Sequence, residues 1–166
     1  MKPRHMTNPF DAANDPDRHA IWQMLVARDS EAFVKGNWSM IADDFDGDNF
    51  EGIRCFNSTN PDAWRIVFPT LADYRDAWLA ASRDFLSKKF ADVSHLEAVH
   101  LRCCLYQIEI NGVIALAHKK FSGELKYEDG SALSGSRQTL YRLRQRGGRW
   151  KIVGFLGFLP FTEVKQ

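Results

Sequence analysis

Residues 136–160 constrain the fold more than any other part of the chain. Ser136 to Arg146 and Arg149 to Leu159 are two long runs joined by Gly147 and Gly148, and Pro160 closes the second. A Gly-Gly pair between such runs reads as a tight antiparallel turn, since glycine enters the left-handed region without steric cost. The runs read as a pair of long neighbouring strands, and the patterns upstream supply the helices that go with them.

The first helix is expected to begin near Asp15, a capping residue followed by Pro16 at the first helical position. Ile21, Leu25 and Ala32 form one apolar row, Trp22, Val26 and Phe33 the next, and Gly36 ends the helix. Asn37 then caps a short helix with Trp38, Ile41 and Phe45. An acidic turn through Asp43, Asp44, Asp46, Asp48 and Glu51 leads into a short strand, Ile53 to Phe56, and a turn from Ser58 to Asp62. The longest helix opens at Thr70 with Asp73 completing a capping box. Leu71, Tyr74, Trp78, Ala81 and Phe85 give it an apolar, aromatic face.

From about Leu96 the spacing changes to period two, which predicts strands. Val99, Leu101, Cys103 and Leu105 would share one face, and His100, Arg102, Cys104, Tyr106 and Ile108 the other. Asn111 and Gly112 mark a hairpin, Val113 to Phe121 returns, and Glu128 to Ser131 makes the next turn before Ala132 to Arg146.

The chain has 166 residues, 45% of them apolar, so one domain with a real core is expected over 15–166, behind a flexible tail over 1–14. That tail lacks the apolar centre of a signal peptide, and no apolar run approaches the ~20 residues of a spanning helix. A soluble, cytoplasmic protein without a membrane partner follows. The net charge of +1 gives no global field toward nucleic acid. Cys55, Cys103 and Cys104 are an odd set without a secretory signal, and they read as buried small hydrophobes. No phosphate loop, zinc spacing or nucleophile motif appears, so neither cofactor nor metal is implied. Asp44, Asp46 and Asp48 begin like a calcium loop, but its sixth position holds Asn49 and its twelfth Cys55.

The chain resembles the NTF2-like superfamily, the SnoaL-like or cystatin-like α+β cones, over about Asp15 to Pro160. Ala32, Phe33 and Gly36, the Asp44–Phe45 region, Gln138 to Leu143 and Gly148 to Ile152 carry the likeness. The resemblance implies N-terminal helices packed in a strongly curved antiparallel sheet, around a conical cavity open at one end. In some members the cavity is an enzyme site, as in ketosteroid isomerases, scytalone dehydratase, polyketide cyclases and limonene-epoxide hydrolase. Others bind or assemble without catalysis, often as homodimers through the outer sheet face.

Two functions are therefore carried forward. One is binding of a small, largely apolar or aromatic molecule in the cone, with room for isomerase-, dehydratase- or cyclase-like proton transfer. His118 or Asp44 would then be the base, and Tyr106 or His100 the oxyanion donor. His118 enters the cavity only if the face it shares with Ile114 and Leu116 is concave. Trp38, Phe45, Phe50, Trp64, Tyr74, Trp78 and Tyr141 are the expected pocket lining, or else a filled core. The other function is a non-catalytic homodimeric interaction module using the outer sheet face. Arg142, Arg144 and Arg146 alternate on one strand face and, with Arg149, read as a solvated outer surface.

Overall fold

A computed structural model describes residues 6–161; residues 1–5 of the expected tail and residues 162–166 lie outside the described residues. Asp15 caps the first helix, its side chain accepting from the Arg18 N–H. One helical rod follows: α1 (Pro16–Trp22), a wider π-type segment (Gln23–Arg28) and α2 (Asp29–Lys35), ended by Gly36 at φ 61°. Part of the expected tail is tied to this rod. The Asn8 side-chain amide donates to the His19 carbonyl, His19 Nδ1 lies 2.8 Å from the Phe10 carbonyl, and the Phe10 ring packs on the core.

Two short 3-10 turns lead to β1 (Glu51–Arg54), which pairs with β2 (Arg65–Phe68). β1 lies earlier than the expected Ile53–Phe56, because Phe56 and Asn57 adopt positive φ and turn the chain. The exposed strand β2 has no alternating apolar pattern and went unforeseen. Thr70 and Asp73 close the expected capping box on α3 (Leu71–Ser87).

The next element overturns the period-two reading. His95–Arg102 is a helix, α4, and only Cys103–Cys104 (β3) is strand. The cause is local: the Ser94 side chain accepts from the Glu97 N–H while the Glu97 carboxylate accepts from Ser94, a second capping box. His100, Arg102, Cys104 and Tyr106 therefore do not share a strand face.

β4 (Ile108–Asn111) and β5 (Ile114–Phe121) form the expected hairpin around Gly112. A small hairpin, β6 (Leu125–Lys126) with β7 (Ala132–Leu133), precedes β8 (Arg137–Arg146) and β9 (Arg149–Leu159). The expected single run from Ala132 to Arg146 is thus interrupted, with Gly135 at φ 101° between its two parts. The main sheet runs β2-β1-β9-β8-β5-β3, with β4 also on β5; β1 and β9 are parallel and every other pair antiparallel. β9 carries two irregularities against β8, where Val153 and Phe158 are extra residues. No helix among the described residues is long and apolar enough to cross a membrane.

The concave face of this sheet covers the helices. Ile21, Leu25 and Val26 of the rod meet Ala117, Leu143, Ile152 and Phe155 in one buried cluster. Trp150 Nε1 donates to Asp17 at 2.9 Å, pinning the sheet to α1. Asp44, 4% exposed, accepts two hydrogen bonds from Arg28 at 2.8 and 2.7 Å, and that bond raises the Arg28 pKa. Three more residues of the acidic turn pair with the arginine hairpin: Arg149 with Asp43 at 2.7 Å, Arg146 with Asp46 at 3.2 Å, and Arg142 with Glu51.

Two substitutions test this architecture. A Cβ on Gly154 would lie 2.5 Å from the Glu51 carbonyl oxygen, so Gly154→Ala must push β1 off β9. A loss of about 1–3 kcal/mol in urea unfolding is expected. Ser94→Ala removes the α4 cap and should cost about 1 kcal/mol in the same measurement; no change would contradict the helix assigned here.

Candidate functional site

Between α3 and the concave face of the sheet lies a cavity of about 400 Å³, open on one side. Helical spacing places Tyr74, Ala77, Trp78, Ala81 and Phe85 along its helix wall. Strand alternation places Lys119 and Phe121 of β5, and Arg137, Thr139 and Tyr141 of β8, on the wall opposite. Phe158, an extra residue of β9, also lines it.

The deep end is polar. Lys119, 2% exposed, donates to Asp29 at 2.7 Å, and Trp78 Nε1 donates to the other oxygen of the same carboxylate at 3.3 Å. Burial pulls the Lys119 pKa down, but the Asp29 charge and hydrogen bond outweigh it and hold it above its ordinary value. Burial pushes the Tyr74 and Tyr141 phenols well above their usual range, so both stay protonated. Each Asp29 oxygen thus already accepts a hydrogen bond, and its charge is paired with the Lys119 ammonium.

Beyond Tyr74, the narrow end is closed by rings. Trp38 stacks on Phe45 at 5.1 Å and meets Trp78 edge-on at 5.4 Å; Phe50 stacks on Tyr74 at 5.5 Å. Of the expected pocket lining, Tyr74, Trp78 and Tyr141 border the cavity, while Trp38, Phe45 and Phe50 fill the core behind it. Trp64 lies elsewhere, donating to the Ser58 carbonyl at 2.9 Å.

The four residues given proton-transfer roles do not line this cavity. The face of β5 that carries His118 is the outer one. There its Nε2 lies 4.0 Å from Glu109, and burial lowers its pKa. Asp44 is spent on Arg28. His100 is buried on α4, whose Ala98, Val99 and Arg102 reach the cavity instead. Tyr106, 56% exposed, lies between β3 and β4.

Sequence reasoning missed Asp29, Lys119, Thr139 and the arginines at the mouth, Arg54, Arg102 and Arg137. One signal was present for Lys119: it follows Ala115 and Ala117 at period two, and a run of small apolar residues marks an inward face. Arg102 carried no such signal while it was assigned to a strand.

No family model matches the chain, and no curated protein does. Solved structures do. A cystatin-like protein of unknown function from Nostoc punctiforme superposes with a TM-score of 0.56 at 14% identity, covering 87% of this chain and 90% of that one. NTF2-like proteins of unknown function from Shewanella baltica and Silicibacter pomeroyi give 0.53 and 0.51, each at 14% identity and over 89% of this chain, covering 98% and 97% of theirs. With its helices held in a curved sheet and a cone left open between them, the chain has the NTF2-like α+β fold.

Proposed function

We propose that the chain binds a small, largely apolar molecule in the cone between α3 and the sheet. The cavity itself carries this reading: about 400 Å³, walled mainly by aromatic and aliphatic side chains, with charged and hydroxyl groups set among them. Ligand sites typically span about 300–1,000 Å³ with this kind of lining. Binding is better supported than proton transfer, because the cavity carboxylates are already held by cations, Asp29 by Lys119 and Asp84 by Lys88. Tyr74 and Tyr141 would orient a ligand oxygen at the deep end.

The outer face of the sheet supports a second reading, contact with a second copy of the chain. Ile114, Leu116 and Val153 line a shallow groove there, with Glu109 and Arg144 beside them. Ile114 is 47% exposed. An apolar strip on a sheet face is costly to leave in water.

N-phenyl-1-naphthylamine, which fluoresces in apolar surroundings, should give a saturable signal with the protein. Ala81→Trp, which fills the cone from an exposed position on α3, should abolish it without lowering Tm. Absence of saturation in the parent chain would sink the small-molecule reading. Light scattering tests the second reading: a dimer that Ile114→Asp converts to monomer is expected, and a monomer for the parent chain would refute it.

A further inference from the structure

The cavity lining is unbalanced in charge. Five cationic side chains border it, Arg54, Lys88, Arg102, Lys119 and Arg137, against two anionic ones, Asp29 and Asp84. Both acids are already engaged, Asp29 by Lys119 at 2.7 Å and Asp84 by Lys88 at 3.2 Å. Among the described residues, none of the three arginines has an ion-pair partner. The chain as a whole is near neutral, so the excess is local.

Arg102 is the sharpest case. It is 6% exposed, donates once to the Gly135 carbonyl at 2.7 Å, and its buried Nε has no hydrogen-bond partner. A guanidinium has five N–H donors, and leaving a buried charged donor unmet is costly. Arg137 lies over the Phe158 ring at 4.1 Å and near Phe121 at 5.5 Å. Those contacts use the face of the guanidinium and leave its N–H edge available. Arg54 sits over Phe68 at 5.4 Å and near Phe158 at 6.0 Å. Burial, and after it the Arg102 charge, lowers the Arg137 pKa, as expected of like charges gathered without a counter-ion.

We infer that the molecule bound in this cone carries an anionic head, a carboxylate, held at the mouth by Arg102 and Arg137 with Arg54 beside them. Its apolar body lies on the aromatic walls. The inference rests on the small-molecule reading of the cone and narrows it to one ligand class. A carboxylate matches the planar guanidinium fork, supplies the missing acceptors and neutralises the local excess. A desolvated cleft of one sign also concentrates ligands of the other.

The test compares 2-naphthoate with 2-naphthamide, alike in size and apolar body, by isothermal titration. The carboxylate should bind roughly tenfold tighter or more, as charge-assisted hydrogen bonds imply. Arg137→Gln and Arg54→Gln, at less buried positions than Arg102, should bring naphthoate down to the naphthamide level and leave naphthamide unchanged. Circular dichroism checks that both variants are folded. Equal affinities in the parent chain, or variants that leave naphthoate unaffected, would overturn the anionic head while the cone remains a binding site. Failure of both probes to bind would overturn the cone reading along with it. Acetate binding as tightly as naphthoate would also overturn the inference, by showing an anion site with no use for the apolar walls.

Discussion

The buried contact between Lys119 and Asp29 is the constraint on which the rest depends. It joins positions 90 residues apart, one on the inner face of β5 and one at the start of α2. Trp78 of α3 donates to the same carboxylate, so three elements converge on one anion. Buried pairs of this kind add little net stability, because desolvation offsets much of the attraction. Their consequence is directional. A one-residue slip of β5 would bury His118 and carry Lys119 to solvent, stranding Asp29 without its counter-ion. The pair therefore selects which face of β5 looks inward, and with it the wall of the cone.

Outside the cone, charges pair by a different logic. The acidic turn and the arginine hairpin are far apart in sequence, yet Asp43, Asp46 and Glu51 each meet one of its guanidiniums. The exposed contacts contribute little individually. Collectively they fasten the acidic turn against the rim of the sheet. Arg142, Arg146 and Arg149 are thereby paired, while the three arginines of the cavity are not. The sequence shows the same residue type in both places; only the fold separates the paired set from the set left facing the cavity.

Where a local signal and the tertiary contacts agreed, the architecture was legible in advance. The hairpin through Gly147 and Gly148 and the helix after Thr70 are such places, the second with its capping box and aromatic stripe. The region after Ser94 was misread because Val99, Leu101, Cys103 and Leu105 alternate over a longer stretch than the capping box that overrides them. A cap of two hydrogen bonds decided the first turn, and the helix then ran on to Arg102. The pocket was legible by residue type and not by face. Tyr74, Trp78 and Tyr141 line it, but parity along β5 reads equally well for His118 or Lys119 until the distant Asp29 is in place.

The extra residues in β9 carry a consequence for comparison among distant chains. Past Val153 and again past Phe158, the odd–even rule of side-chain facing resets, so a wall residue on one side of a bulge has the opposite parity to one on the other. A homologue with one bulge fewer could share β9 letter for letter and still present a different lining to its cone. Gapless alignment across this strand would then pair wall positions with outward ones. At 14% identity, pocket chemistry has to be matched by superposed backbone, with a single-residue gap placed wherever the bulge falls.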